Sequence, residues 1–277
     1  MSDLLIDQGD GDQSLKKLLS FVRLQSFTPE SPSIVRTTID LPNRNGLVLR
    51  QRRVKYKERK IKAVFLIKAE SPEHFYLYRS ALSKLFVQDI PYYVTHSFSP
   101  GVRWKVVCDD SFDREKDRHK NYKEIEVEFL ALDGLAESKF TTETPLNIEG
   151  EHFFPGMNIP DQNEIPYHFK DTADFKVYNA SDVTIYPTEH DYTVEMYLAG
   201  TNITIANRTT AESFTIKGTL NSKQKVEIRR IYTLINNTAG VKTSGRFPSL
   251  APGFNSFYVQ NASAVDIQFK TRFYYKE

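Results

Sequence analysis

A strand followed at once by a helix is the sequence feature that most constrains the fold. Residues 60–69 place apolar side chains at every second position, with lysines prominent between them. This period of two predicts a strand with one buried face and a mixed second face. Ser71 then suits a helix N-cap and Pro72 the first helical position, and apolar residues recur at helical spacing across 71–86. Residues 1–140 are therefore predicted to form a β-rich N-terminal domain with one main α-helix.

Shorter alternating segments fill the rest of this half of the chain. They predict strands at 34–41, 92–98, 102–108 and 123–130, a turn at 41–46 and a charged, solvated loop at 109–121. Residues 14–24 carry a pattern that fits either a helix or a strand.

The second half shows no helical pattern and instead repeats short strands between turn residues. Strands are predicted at 175–178, 183–186, 192–198, 202–206, 213–220, 225–235, 257–260 and 265–275. A spacing of roughly 8–12 residues between turns is typical of a β-sandwich, which we expect over residues 171–277. Residues 141–170 contain four prolines and few apolar runs, and are predicted to be a linker. The predicted fold class is mainly β, or α+β.

Cysteine content and charge exclude several classes of protein. Cys108 is the only cysteine, so neither an internal disulfide nor a cysteine-based zinc site is possible. A net charge of +2 argues against a strongly basic nucleic-acid binder. The N-terminus lacks the apolar core of a signal peptide, and the apolar runs are too short to span a membrane. We expect a soluble chain made in a cytoplasm, with no membrane contact.

No motif in the sequence points to catalysis. The six histidines form no metal-ligand pair at helical spacing, and no nucleophile elbow or phosphate-binding glycine loop is present. A glycoside hydrolase would need two carboxylates about 5–10 Å apart in a cleft, and none of the many acidic residues stands out. The sequence thus predicts a protein that is not an enzyme, with no catalytic residues, no cofactor and no metal.

A basic stretch is the strongest charge signal in the chain. It contains Arg50, Arg52, Arg53, Lys55 and Lys57, which we take as the candidate assembly interface. Such a stretch can contact a phosphate backbone or an acidic protein surface, or it can be the solvated face of a strand. Tyr56 is the only aromatic residue within it, so stacking on single-stranded bases is not supported.

Sugar binding is the other function that residues of the second half could support. Tyr186, Tyr192, Tyr197 and Tyr258 could stack on sugar rings. Tyrosines at strand spacing also serve as core or interface residues, so both interpretations stay open.

The order of these motifs resembles the distal tail proteins (Dit) of phages with long non-contractile tails. In the first half it comprises the turn 41–46, a basic segment, the strand 61–67, a helix ending in Leu85-Phe86 and a hairpin near Trp104. In the second half it comprises Phe175-x-Val177-x-Asn179, the segment 202–207, Phe214-x-Ile216, the closing turn 245–255 and a final aromatic strand, 269–275. The resemblance covers most of residues 34–277.

The resemblance implies a structural virion protein rather than an enzyme. Dit proteins form a hexameric ring, single or stacked, at the distal end of the tail, with a central channel through which DNA passes. The N-terminal domain builds the ring, and a galectin-like β-sandwich, here 171–277, projects outward. The implied partners are further copies of the chain, the tail tube protein, a tail-associated tip or hub protein of the baseplate, and a receptor-binding protein. The expected location is the phage tail, assembled in the cytoplasm of the bacterial host.

Two functions therefore follow from the sequence. The first is the tail-tip hub, in which the basic stretch meets an acidic patch on a neighbouring subunit or tail protein. The alternative is a carbohydrate-binding adhesin that recognises glycans on the host cell surface. The mass in solution separates them, because a hub subunit forms rings whereas an adhesin binds sugar as a monomer or small oligomer.

Overall fold

The computed structural model describes residues 2–50, 53–108, 122–146, 152–160 and 165–277. These residues divide into two compact units, Met1–Ala136 with Lys276–Glu277, and Glu137–Tyr275. The described part of the chain is mostly antiparallel β-structure with two helices, which confirms the predicted fold class. No helix in the described ranges is long and apolar enough to cross a membrane.

The first unit is built on a single antiparallel sheet. Its elements are β1 (Leu4–Asp7), β2 (Gln13–Ser14), α1 (Leu15–Leu18), β3 (Val22–Pro29), β4 (Ile34–Val35), β5 (Thr38–Asp40), β6 (Leu47–Leu49), β7 (Lys55–Tyr56), β8 (Arg59–Lys68), α2 (Pro72–Phe86), β9 (Tyr92–His96), β10 (Val102–Val107) and β11 (Tyr122–Ala131), and β12 (Ala136–Ser138) spans the unit boundary. The strand order in the sheet is β2-β1-β9-β10-β11-β8-β3. The predicted loop 109–121 lies outside the described residues.

The strand–helix pair forms as the sequence predicts. On β8 the alternate residues from Arg59 to Ile67 are buried, while the lysines between them are exposed. Ser71 caps α2, because its hydroxyl accepts a hydrogen bond from the backbone N–H of His74 at 3.3 Å. Phe86 ends the helix against the sheet, with its ring centroid 5.1 Å from that of Phe65. Burial of such aromatic side chains fixes α2 on one face of the sheet.

The predicted strand 34–41 is divided in two. β4 pairs with β7, and β5 pairs with β6 across the turn 41–46, so these strands form two short ribbons separate from the main sheet. We call residues 34–57 the arm; its described residues are 34–50 and 53–57.

The second unit is a folded antiparallel sheet. The strands of this sheet are β13 (His168–Lys170), β14 (Asp174–Asn179), β15 (Tyr192–Asn207), β16 (Glu212–Leu220), β17 (Lys225–Arg229), β18 (Tyr232–Ile235), β19 (Thr243–Gly245) and β20 (Gly253–Thr271), and the short strand β21 (Tyr274–Tyr275) lies outside it. The sheet order is β13-β20-β15-β16-β19, with β14 also paired to β20, β17 to β15 and β18 to β17. Phe169 on β13 stacks on Phe175 of β14 at 4.3 Å, so two halves of the sheet face each other across an aromatic core.

Four of the predicted strands turn out to be two long strands. Segments 192–198 and 202–206 are one strand, β15, and the two last predicted segments largely merge into β20. The residues that suggested turns form a corner instead: Gly200 has φ +149°, Asn202 +52° and Asn261 +62°, and the register between β15 and β20 shifts there. A corner of this kind lets one strand serve both layers of a sandwich.

The remaining differences concern shorter segments. Residues 183–186 contribute only an isolated bridge between Ile185 and Leu250, and 225–235 breaks into the hairpin β17–β18 at Arg230, which has φ +56°. The described residues of the predicted linker, 141–146, 152–160 and 165–170, fall within the second unit, where Leu146, Phe153 and Met157 are buried. Its prolines favour irregular backbone, yet its scattered apolar side chains still reach the core.

Candidate assembly surface

The basic stretch lies on the arm. Arg50, after β6, is exposed, as are Lys55 on β7 and Lys57 just beyond it; Arg53 is half-buried, and Arg52 lies outside the described residues. Backbone hydrogen bonds hold the stretch to residues that flank β4, from Arg50 N–H to Thr37 O at 2.9 Å and from Lys57 N–H to Ser33 O at 3.0 Å. The exposed basic residues therefore lie on the two short ribbons of the arm, Arg50 next to the β5–β6 ribbon and Lys55 and Lys57 at the β4–β7 ribbon.

The basic residues of the arm differ in their partners from those of the neighbouring strand. On β8 Lys60 and Lys62 pair with Glu128 and Glu126 of β11, at 2.5 and 3.8 Å. Arg50, Lys55 and Lys57 have no carboxylate within ion-pair distance in the described part of the chain. An anionic partner outside this molecule can therefore pair with them without breaking an internal ion pair.

The arm also exposes apolar side chains, which the sequence reasoning missed. Leu47 is 66% exposed, Leu49 51% and Val54 53%, and Ile34, Ile39 and Leu41 are exposed as well. No strand is predicted from the sequence at 47–49, and a strand pattern does not reveal whether another layer covers the strand, so the sequence carries no direct signal for their exposure. Clustered apolar side chains of this kind mark protein interaction sites.

Local geometry explains why β5 and β6 form a ribbon. The turn 41–46 closes with a hydrogen bond from Arg44 N–H to Leu41 O at 3.1 Å, and Gly46 adopts φ +80°, which other residues rarely adopt. Two-stranded ribbons are marginally stable in water by themselves. Contact with another surface would stabilise the arm by covering its apolar side chains.

Ion pairs cover one face of the second unit. Glu195 lies 2.9 Å from Lys225 and 3.3 Å from Lys270, and Lys270 lies 2.8 Å from Glu143. Burial alone would raise the pKa of Glu195, but hydrogen bonds from the two lysines outweigh it and the pKa lies below its usual value. The hydrogen bonds to Glu195 and Glu143 raise the pKa values of Lys225 and Lys270 respectively. The charges on this face satisfy one another.

The four tyrosines considered for sugar binding do not come together. Tyr192 is buried and donates to Pro248 O at 3.2 Å, and Tyr186 lies beside His190. Tyr197 is 39% exposed on the ion-paired face. Tyr258 lies on the other half of β20, where the Arg208 guanidinium sits 4.4 Å from its ring centroid. These side chains form no shared stacking platform.

The described residues also hold no group of three or more histidine, cysteine or acidic side chains that could bind a metal ion. Cys108 is buried.

Comparison with known proteins agrees with these observations. Residues 10–131 match the family model described as phage tail protein RIFT-related domain. The Dit protein of phage SPP1 has a similar fold, with 12% sequence identity, a TM-score of 0.64 and coverage of 99% of both chains. Two chains of the phage P2 baseplate in its activated conformation each align with a TM-score of 0.43 and 11% sequence identity. In the calcium form the alignment covers 99% of this chain and 98% of that one, and in the strontium form it covers 98% of both. No curated protein matches the sequence. The chain thus has the fold of a known distal tail protein, as the resemblance implies.

Proposed function

We propose that this chain, a phage tail protein with a RIFT-related domain at residues 10–131, is a structural hub at the distal end of a tail. One observation carries the proposal: the fold of SPP1 Dit extends over 99% of the chain. That protein is described as a paradigm of the hub of the adsorption apparatus in phages that infect Gram-positive bacteria. By analogy the hub would be a hexameric ring that joins the tail tube to the tip, baseplate and receptor-binding proteins and leaves a channel for DNA.

The arm supports this role from the residues themselves. A closed cyclic ring uses heterologous contacts, in which one patch of each subunit meets a different patch of the next. A ribbon with exposed Leu47 and Leu49, flanked by exposed basic side chains, is suited to such a contact. The role is structural and requires no catalytic residue, and the protein would enter the virion after assembly in the host cytoplasm.

The native mass tests the proposal. We expect light scattering behind size-exclusion chromatography to give six times the chain mass of 32.0 kDa, or twice that for stacked rings. Negative-stain images of the same peak should show a ring with a central hole. A monomer at every concentration, combined with sugar-dependent binding in a glycan screen, would instead favour the adhesin. The described residues show no arrangement of tyrosines suited to sugar binding.

A further inference from the structure

The hairpin β17–β18 carries the most exposed apolar side chains of the second unit. Arg229 and Tyr232 pair across the hairpin, and Arg230 and Ile231 form the two-residue connection between its strands. Ile231 is 71% exposed and Tyr232 59%, more than any other large apolar side chain in the described part of this unit. We call residues 229–232 the hairpin tip.

The strands beneath hold the hairpin tip in a defined shape. β17 pairs with β15, one of the two long strands of the unit, so the hairpin continues a layer of the core. At its base Asn236 N–H donates to Lys225 O at 2.8 Å, and Lys225 N–H donates to Asn236 Oδ1 at 3.0 Å. Arg230 has φ +56°, as the first central residue of a two-residue hairpin turn favours. The exposure of Ile231 and Tyr232 is therefore a property of an ordered turn.

The hairpin tip is also positively charged. Arg229 and Arg230 are both exposed, and residues 228–235 contain no acidic residue. Glu227, just before them, has only 5% of its side chain exposed and pairs with both Arg229 and Lys225. Arg230 has no carboxylate within ion-pair distance among the residues that the structure describes. The tip thus presents two apolar side chains beside positive charge that the unit itself leaves uncompensated.

This combination suits the surface of a lipid bilayer with anionic headgroups. Tyrosine and arginine favour the headgroup region, where an aromatic ring lies at the boundary and a guanidinium contacts phosphate, and an aliphatic side chain can enter the layer beneath. A dissolved polyanion would engage the arginines but leave Ile231 in water. A specific protein interface covers about 800 Å² on each partner, far more than a four-residue turn provides.

We propose that the hairpin tip binds an anionic membrane surface, with Ile231 and Tyr232 in the headgroup region and Arg229 and Arg230 on lipid phosphates. A turn of this size leaves no long apolar run in the sequence, which explains why the sequence predicts no membrane contact. A single tip binds weakly, and the tips of all subunits in a ring bind together with higher avidity. The proposal therefore relies on the proposed hub function for its strength but not for its chemistry.

Vesicle flotation with the full chain tests the proposal. We expect the protein to float with vesicles of phosphatidylcholine and phosphatidylglycerol in equal parts but not with pure phosphatidylcholine, and added salt should weaken the binding. Ile231→Ser with Tyr232→Ser should lower the vesicle partition coefficient by at least about tenfold. Arg230→Asn should lower it by about fivefold, and Asn tolerates the left-handed backbone at this position.

Two control variants remove the same properties elsewhere. Phe98→Ser deletes a 73% exposed apolar side chain from a turn of the first unit, and Lys223→Asn deletes an exposed positive charge from the turn before β17. Neither should change flotation, and equal losses in these controls would overturn the proposal. Rings seen by light scattering that do not float with the anionic vesicles would overturn it as well and leave the hub intact. A monomer that floats would contradict the hub function alone.

A fluorescent label tests whether the hairpin tip itself enters the membrane. Ile231→Cys and Phe98→Cys each supply one exposed thiol for an environment-sensitive dye, because the native Cys108 is buried. On anionic vesicles the emission of the dye at position 231 should gain intensity and move to shorter wavelength, whereas the dye at position 98 should not respond. Flotation without a response at position 231 would mean that another surface binds the membrane, and the assignment to the hairpin tip would fall.

Discussion

Phe257 and Phe269 lie on the same strand, Gly253–Thr271, yet their ring centroids are only 5.3 Å apart. A straight strand would separate these positions by roughly 40 Å. The strand therefore folds back on itself, and one continuous segment supplies both layers of the core. The fold of the second unit depends on the corner that makes this possible.

Gly200 is the residue at the corner that a side chain would disturb most. A Cβ added there would lie 2.1 Å from the carbonyl oxygen of Asn261, and the backbone has φ +149°. We expect Gly200→Ala to lower the free energy of unfolding of the second unit by about 3 kcal/mol or more, measured by circular dichroism in denaturant. Gly218→Ala is the matched control, because its φ is +99° but nothing lies within 4 Å. It should cost about 1–2 kcal/mol, and equal losses for both would show that the corner contact is not decisive.

The corner also shows what the sequence could and could not predict. The alternation on β8 and the cap at Ser71 are local signals, and the structure confirms both. Gly200 and Asn261 look like ordinary turn residues, because a strand that bends through a bulge uses the same residue types as a strand that ends. Only long-range pairing between β15 and β20 distinguishes the two cases.

The candidate assembly surface was likewise predictable only in part. Its basic residues stand out in the sequence as a run of charge. Its exposed leucines, Leu47 and Leu49, do not, because a strand pattern does not reveal whether another layer covers it. The exposure of Tyr76 and Leu77 on α2 was hidden for a similar reason, because the apolar stripe of the helix identifies only its buried side.

Phe86 should be the most important single side chain for the packing of α2. It is fully buried, and its ring centroid lies 5.1 Å from those of both Phe65 and Phe129. We expect Phe86→Ala to cost about 3–5 kcal/mol. Trp104 is the only tryptophan and lies in the first unit, so its fluorescence during denaturant unfolding reports on this unit. The adjacent, exposed Val87 is the control: Val87→Ala should change stability by less than about 0.5 kcal/mol, and a comparable loss there would refute the packing argument.

Arg59 should affect both the stability of the first unit and the fluorescence of Trp104. The guanidinium is buried, donates through Nε to Glu30 O at 2.7 Å and lies 4.7 Å from the Trp104 ring centroid. Arg59→Lys keeps the charge but cannot bond the carbonyl and stack on the ring together. We expect a shifted Trp104 emission maximum and a loss of about 2 kcal/mol in the same denaturant titration. Lys57→Arg, two residues away and exposed, should change neither; unaltered emission in Arg59→Lys would mean that the stacking has no effect.

His190 should make the second unit sensitive to mild acid. Burial lowers its pKa to about 4, and its Nδ1 accepts a hydrogen bond from Tyr186 N–H at 2.9 Å, which requires the neutral ring. The unfolded chain binds the proton at the ordinary pKa of 6.5. The unfolded state therefore holds more protons between these values, and stability present above pH 6.5 is lost as the pH falls towards 4. The loss should be about 3 kcal/mol.

The pH dependence can be separated from that of the carboxylates by substitution. His190→Asn removes the titrating group, so the free energy of unfolding should fall less between pH 7 and pH 4.5 than in the unaltered chain. His168→Asn is the control, because His168 is exposed beside Asp266. If His190→Asn retains the full slope over this interval, another group is responsible.

The exposed leucines of the arm should govern assembly without affecting folding. Leu47→Ser with Leu49→Ser removes apolar area that is 66% and 51% exposed in the single chain, so the free subunit loses little by the change. In a ring that area would be buried, so the change would remove about 25 cal/mol of association free energy per Å² of apolar surface at each contact. We expect the apparent dissociation constant for assembly to rise by at least about tenfold in light scattering across a dilution series. Trp104 fluorescence and the denaturant midpoint should stay unchanged.

Ile231→Ser is the control, since Ile231 is 71% exposed but lies on the second unit. Assembly that survives the change in the arm but fails in Ile231→Ser would assign the ring contact to the second unit.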